Sequence, residues 1–150
     1  MKKKKRTRFS GQYAKKEEPL TMFTAGAGRP KTILLADDEN MVREIVKMLL
    51  ESRGYTVISA ADGNDAVNKF YKHKDHIDML LFDVTMPGKN GRDAYKTIKE
   101  TKPDIKVLLM SGYTKDIVSN KDLREKGVYF LQKPVSPDVL FGKIDEILEA

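Results

Sequence analysis

Five short apolar runs alternate along this chain with five segments whose apolar residues recur every three or four positions. The runs at 33–35, 79–82 and 106–110 are almost entirely apolar, which is typical of strands covered on both faces of a sheet. The segments between the runs have the period of helices that pack one face against such a sheet. This alternation predicts a parallel α/β sheet with helices on both sides.

Common start and stop signals bound these segments. Gly54 and Gly127 follow predicted helices, Pro103 closes another, and Ser136 and Pro137 provide the N-cap and first position of the last. We predict strands over 32–36, 55–59, 79–82, 105–110 and 128–131, and helices over 41–53, 62–72, 92–102, 115–126 and 136–148.

The length of 150 residues favours one domain. The chain has no cysteine, which excludes disulfides and thiolate zinc sites and fits a reducing compartment. No stretch approaches 18 consecutive apolar residues, so we expect no membrane span and a cytoplasmic location. Since the last predicted helix ends at 148, we expect no output domain after it.

Positive charge is concentrated at the start of the chain. Residues 1–31 contain ten Lys or Arg and two acids, whereas 32–150 contain 18 bases and 20 acids. We predict a basic, disordered tail over 1–31 and a folded domain over 32–150. Arg6 is followed by Thr-Arg-Phe-Ser-Gly-Gln, so the basic start is not followed by the apolar stretch of a signal peptide. The tail is either a solvated leader or an electrostatic arm for an acidic partner or nucleic acid, and a nucleic-acid-binding regulator is therefore one alternative.

Polar residues follow four of the predicted strands. Asp37 and Asp38 follow the first strand, Asp83 the third, Ser111 the fourth, and Lys133 comes shortly after the fifth. Parallel strands bring their carboxyl ends to one edge of the sheet, where the active groups of such folds lie. Each residue alone has an ordinary explanation as a helix cap, a turn residue or a surface lysine, but their convergence indicates a functional site.

The predicted cluster has the chemistry of a phosphoryl-transfer site. Three carboxylates in one cleft repel each other, and a hard cation such as Mg²⁺ relieves this repulsion through oxygen ligands. Lys133 adds a charge suited to a phosphoryl oxygen, and Ser111 offers a hydroxyl donor. Together they surround a carboxylate nucleophile.

Four motifs resemble the response-regulator receiver family, and the resemblance covers roughly residues 32–149. They are Ile-Leu-Leu-Ala-Asp-Asp-Glu at 33–39, Leu-Phe-Asp-Val-Thr-Met-Pro-Gly-Lys-Asn-Gly at 81–91, Val-Leu-Leu-Met-Ser-Gly-Tyr at 107–113 and Phe-Leu-Gln-Lys-Pro at 130–134. The resemblance implies a flavodoxin-like (βα)5 fold with strand order 2-1-3-4-5. The last two motifs are most similar to receivers attached to hybrid sensor kinases.

The family resemblance also implies a role for each motif residue. Asp83 would be the phosphoacceptor. Asp38, Asp83 and the backbone carbonyl of Thr85 would ligate Mg²⁺ or Mn²⁺ directly, and Asp37 would act mainly through water.

Three further residues would bind the phosphoryl group or respond to it. Ser111 would be the switch hydroxyl, Lys133 would pair with the phosphoryl group, and Phe130 would be the switch aromatic. The peptide bond before Pro134 would be cis, as is usual in the family.

By resemblance, the partner would be a histidine kinase or a histidine phosphotransfer protein that donates from a phosphohistidine. The domain would be a monomer or a weak phosphorylation-dependent dimer. A haloacid-dehalogenase-like phosphatase is an alternative, but Thr85 stands where that group has a second Asp. A flavodoxin would need a phosphate-binding first loop, which the acidic residues at 37–39 would oppose.

Overall fold

The computed structural model describes residues 28–113 and 126–149. All the elements below lie within one compact unit, Lys31–Ala150. The five strands are β1 Thr32–Ala36, β2 Thr56–Ala60, β3 Met79–Asp83, β4 Lys106–Ser111 and β5 Val128–Gln132. The four described helices are α1 Asn40–Ser52, α2 Gly63–His73, α3 Gly91–Thr101 and α4 Pro137–Glu149.

Two predictions concern residues that the structure does not describe. Of the helix predicted over 115–126, all but the last residue falls outside the described range. The predicted basic tail over 1–31 also lies outside it, except for its last four residues.

The five strands form one sheet in the order β2-β1-β3-β4-β5, and all neighbours are parallel. The flavodoxin-like fold and its strand order are therefore confirmed. In the register, Asp83 lies opposite Met110, and Ser111 lies opposite Gln132. The acidic end of β3 and the hydroxyl end of β4 consequently reach the same edge of the sheet.

Each face of the sheet carries its own apolar core, because successive strand side chains point to opposite faces. Leu34, Phe82 and Leu109 pack with residues of α2 and α3, and we call this the α2–α3 core. The other face packs Ile33, Leu81 and Leu108 against α1 and α4. Coverage on both sides explains why β1 and β3 are buried along their whole length.

The start of α3 is fixed closely to the end of β3. Asn90 caps the helix by accepting a hydrogen bond from the Asp93 N–H at 2.9 Å. A side-chain Cβ at Gly91 would lie 2.3 Å from the carbonyl oxygen of Asp83, so the position requires glycine. The backbone of Asp83 is therefore held between its own strand and the following helix.

No helix among the described residues has both the length and the apolar character needed to cross a bilayer.

Candidate functional site

The end of β1 delivers Asp37 into the interior of the site. Its side chain has no solvent exposure. One carboxylate oxygen, Oδ1, accepts a hydrogen bond from the Glu39 N–H at 2.9 Å, and its backbone carbonyl accepts one from the Arg43 guanidinium at 2.6 Å. These bonds fix the turn between β1 and α1, so the carboxylate has a defined position.

Lys133 joins Asp37 to Asp83. Its Nζ lies 3.1 Å from Asp37 Oδ2 and 3.2 Å from Asp83 Oδ2, within hydrogen-bonding distance of both. The Lys133 side chain is only 17% exposed, and that of Asp83 only 8%. The ammonium group thus links the ends of β1 and β3, although it comes from the loop after β5.

The neighbours of Asp83 shift the pKa of its carboxyl group in both directions. Desolvation raises the pKa of its carboxyl group, the Lys133 ammonium lowers it, the Asp37 charge raises it, and a hydrogen bond from the Thr85 backbone lowers it. The net result is a raised pKa. The ionised form of Asp83 is consequently less favourable here than in water, and additional positive charge nearby would stabilise it.

The pKa of Lys133 is also raised. Burial alone would lower it, but the hydrogen bonds and negative charges of Asp37 and Asp83 together outweigh desolvation. Lys133 therefore stays protonated at neutral pH and presents a permanent cation to the cleft.

Three carboxylates meet in this cleft. Asp37, Asp38 and Asp83 each offer an oxygen, and these oxygens all lie within 4.8 Å of one another. Asp38 is exposed, so the cluster opens toward solvent on its side. Three carboxylates beside one ammonium leave excess negative charge, and the all-oxygen donor set fits a hard divalent cation such as Mg²⁺.

Ser111 ends β4 at the same edge as Asp83. Its side chain is buried, and its hydroxyl accepts a hydrogen bond from the Tyr113 N–H at 3.0 Å and donates to the Tyr113 carbonyl at 3.2 Å. Its own carbonyl accepts from the Lys133 N–H at 2.8 Å. The backbones that carry the predicted hydroxyl and the predicted cation are thus bonded directly.

Phe130 is half-buried on β5 and packs against the α2–α3 core. Thr85 is exposed just beyond Asp83, and the Lys133–Pro134 peptide bond is cis, as the resemblance implied. The structure therefore brings Asp37, Asp38 and Asp83 together and puts Lys133 in contact with Asp37 and Asp83. Ser111 ends at the same edge of the sheet, whereas Phe130 packs against the α2–α3 core.

Two residues near the site were not predicted. Glu39 Oε1 lies 3.6 Å from Lys133 Nζ, and Arg43 binds the Asp37 carbonyl from the first turns of α1. Glu39 directly follows the acidic pair, so its position is a usable sequence signal. Arg43 carries no comparable signal, because its role depends on how α1 is oriented relative to β1.

Comparison with known proteins decides the family. The family model described as the response regulator receiver domain matches residues 33–145. The chain belongs to this receiver family. Receivers are phosphoacceptor signalling modules rather than catalytic enzymes, so the phosphatase alternative is set aside.

The receiver is similar to parts of two sensor kinases. It is 35% identical over 135 residues to the sensor kinase CckA of Brucella abortus (strain 2308), covering 90% of this chain and 14% of that kinase. It is 30% identical over 121 residues to the CAI-1 autoinducer sensor kinase/phosphatase CqsS of Vibrio cholerae serotype O1, covering 76% of this chain and 17% of that protein. The receiver thus spans less than a fifth of the length of either kinase, and the similarity to receivers of hybrid kinases is confirmed.

A solved structure shares the receiver's fold. The CheX-CheY-BeF3-Mg²⁺ complex of Borrelia burgdorferi contains a chain that is 28% identical, with a TM-score of 0.72. The match covers 82% of this chain and 92% of that one.

Proposed function

We propose that Asp83 of this receiver accepts a phosphoryl group from a phosphohistidine on a histidine kinase or a histidine phosphotransfer protein. The observation that carries this proposal is the position of Lys133 Nζ, within 3.2 Å of both Asp37 and Asp83. A cation held between a nucleophilic carboxylate and its acidic neighbour lies where it can pair with an oxygen of a transferred phosphoryl group.

The proposed reaction is a displacement at phosphorus. An Asp83 carboxylate oxygen attacks the phosphorus atom, a new P–O bond forms, and the P–N bond to the donor imidazole breaks. The imidazole nitrogen keeps the electron pair of that bond and takes up a proton. Lys133 pairs with a phosphoryl oxygen as negative charge moves onto the receiver.

Asp37, Asp38, Asp83 and the Thr85 carbonyl would hold a divalent cation, Mg²⁺ or Mn²⁺, with Asp37 acting mainly through water. When bound, the cation supplies charge neutralisation for the attacking carboxylate and the phosphoryl oxygens. The close approach of three carboxylate oxygens and the raised pKa of Asp83 both support this assignment. The solved CheX-CheY-BeF3-Mg²⁺ complex of Borrelia burgdorferi also supports it.

Phosphorylation would then change the surface formed by the helix predicted over 115–126, by β5 and by α4. Ser111 would turn its hydroxyl from Tyr113 toward the new phosphoryl group, and Phe130 would move inward as that space changes. The chain would switch between two surface states without a change of fold.

A groove beside the site supports docking of a protein donor. It has a volume of about 450 Å³ and is lined by Glu39, by apolar residues of α1 and by 133–135. Glu39 and Lys133 belong to both the groove and the site, so a donor seated there would present its phosphohistidine to Asp83. A histidine kinase forms its phosphohistidine from ATP, so we also propose a cytoplasmic location for the receiver, with residues 32–150 as the receiver domain and 1–31 as a basic tail.

Phosphorylation with acetyl phosphate and Mg²⁺, followed by intact-mass measurement, tests the role of Asp83. The wild-type chain should gain one phosphoryl group, and Asp83→Asn should gain none. Asp104→Asn, which removes an exposed carboxylate, should behave like the wild type. If Asp83→Asn still gains one phosphoryl group, the nucleophile is another residue.

A further inference from the structure

Arg92 contacts the aromatic ring that is proposed to respond to phosphorylation. Its guanidinium carbon lies 5.1 Å from the centroid of the Phe130 ring, within the range of a cation–π interaction. Both side chains are half-buried, which strengthens such contacts relative to fully hydrated ones.

The backbone of Arg92 is closely connected to the phosphoacceptor. Arg92 directly follows Gly91, whose N–H donates to the Val84 carbonyl at 3.1 Å. The Gly91 backbone is also packed so tightly on the Asp83 carbonyl that a Cβ there would lie 2.3 Å from it. A shift of the backbone around Asp83 is therefore transmitted to the first turn of α3, which carries Arg92.

The other side of the contact leads to Ser111. Phe130 lies opposite Leu109 in the ladder between β4 and β5. Ser111 is two residues beyond Leu109 and therefore projects from the same face of β4. The Phe130 ring thus lies between the start of α3 and the strand face that carries the switch hydroxyl.

We propose that Arg92 is a positioning residue that holds the Phe130 ring in its present orientation and so sets the free-energy difference between the two switch states. This inference rests on the proposed function, in which Phe130 moves when Asp83 is phosphorylated. Loss of the cation–π contact would lower the cost of moving the ring. Phosphorylation and ring movement are coupled, so the phosphorylated state should then be reached more readily.

The chain contains a matched control on the same helix. Lys99 lies seven residues after Arg92, and its Nζ is 5.5 Å from the centroid of the Tyr95 ring. Lys99→Leu removes a cation from an aromatic ring of α3 without changing the contact with Phe130. Arg92→Lys is the conservative variant, since it retains the positive charge.

A fluorescent reporter can follow the position of residue 130, because the chain has no tryptophan. Phe130→Trp places a single indole there, and acrylamide quenching measures its accessibility before any phosphodonor is added. We expect Arg92→Leu to change quenching in this background, Arg92→Lys to restore it in part, and Lys99→Leu to leave it unchanged. Equal quenching in the Arg92→Leu and Lys99→Leu variants would overturn the proposal.

The second measurement uses the native Phe130. Initial rates of phosphorylation by acetyl phosphate with Mg²⁺ should rise about two- to fivefold in Arg92→Leu, the range expected for loss of one cation–π contact. Because the contact also stabilises the folded chain, the urea midpoint should fall only by the small amount that corresponds to this fold-change. A larger fall would attribute the effect to general destabilisation and overturn the positioning role. An unchanged rate, or an equal increase in Lys99→Leu, would refute the role of Arg92.

The proposed switch role of Phe130 and the proposed positioning role of Arg92 can be tested separately. If the indole signal does not respond to acetyl phosphate and Mg²⁺ in any variant, although Asp83 is phosphorylated, the switch role of Phe130 fails and the role of Arg92 fails with it. If the signal responds equally with and without Arg92, only the role of Arg92 fails.

Discussion

Lys133 is bound by two of the carboxylates that would also bind a divalent cation, so the ammonium group and the metal ion compete for them. Its Nζ bridges Asp37 and Asp83, while Asp38 adds a third carboxylate close by. Without a divalent ion, one ammonium only partly offsets the repulsion among these groups. This remaining repulsion lowers the stability of the folded receiver when no divalent ion is bound. Binding of a divalent cation would relieve it.

This repulsion predicts a pH-dependent effect of Asp83→Asn on stability without divalent ions. The folded pKa of Asp83 is raised, mainly by burial, above the unfolded value of about 3.9. Its favourable contribution is therefore present below the unfolded pKa and is lost as pH rises through the folded pKa. Asparagine does not ionise, so the variant should be more stable than the wild type at neutral pH and nearly equal to it at about pH 3.

Urea denaturation of both proteins in EDTA checks this prediction, with Asp104→Asn as the exposed-carboxylate control. Adding Mg²⁺ should stabilise the wild type more than Asp83→Asn and so reduce or reverse the difference at neutral pH. A difference between the two proteins that is independent of pH would contradict the electrostatic explanation.

At the scale of elements, the junction between β3 and α3 controls the position of Asp83. Gly91→Ala would place a methyl group 2.3 Å from the Asp83 carbonyl, against backbone that cannot rotate away. We expect a loss of about 1–3 kcal/mol in the free energy of unfolding, as for other overpacked sites. Displacement of the Asp83 backbone should also slow phosphorylation by acetyl phosphate.

Gly142 provides the matched control for that substitution. It lies on the exposed side of α4, where an added Cβ would have nothing within 4 Å. Gly142→Ala should therefore raise stability by about 0.5–1 kcal/mol and leave phosphorylation unchanged. If Gly91→Ala, like Gly142→Ala, lowers neither the stability in urea nor the rate of phosphorylation, the close packing of α3 on the Asp83 carbonyl does not control the position of Asp83.

The sequence predicted the described elements to within one or two residues, and its errors have a physical pattern. The helix predicted over 115–126 lies almost entirely outside the described residues and stays a prediction. The strands predicted over 79–82 and 105–110 continue through Asp83 and Ser111. Apolar runs end at these polar residues, but backbone pairing does not, so hydrophobicity alone places the strand ends too early. The convergence of Lys133 with Asp37 and Asp83 could be predicted, because parallel strands end at one edge of the sheet. The contact between Arg92 and Phe130 could not, because it depends on how the first turn of α3 is oriented relative to β5.

At the scale of the whole molecule, exposed apolar side chains on α1 mark a surface beside the site. Met41, Ile45 and Met48 are 77%, 53% and 67% exposed, and Ile45 also lines the groove that includes Lys133. Their spacing of four and three residues puts them along one stripe of the helix, as in packed helix pairs. We expect this stripe to contact the protein donor.

Ile45→Glu should therefore slow phosphoryl transfer from a protein donor but not from acetyl phosphate. The rates are measured with a histidine kinase selected because it phosphorylates the wild-type chain, and a decrease of about tenfold corresponds to about 1.4 kcal/mol. Tyr71→Glu replaces an exposed apolar residue on α2 and should leave both rates unchanged. An equal decrease with both donors would place the effect at the site rather than at docking.

The charge distribution predicts that the basic tail acts independently of the folded receiver domain. Residues 1–31 contain ten Lys or Arg and two acids, whereas 32–150 have a slight excess of acids. All the described strands and helices lie within Lys31–Ala150, so removing residues 1–30 should leave the urea midpoint and the acetyl phosphate rate unchanged. Any salt-sensitive binding of the chain to nonspecific duplex DNA should be lost with the tail, because such binding depends on the number of Lys and Arg residues that neutralise phosphates. Fluorescence anisotropy at two salt concentrations measures this affinity.

Unchanged DNA affinity after the deletion would exclude the tail as a nucleic-acid-binding arm. A lowered urea midpoint would show that the domain needs residues before Lys31.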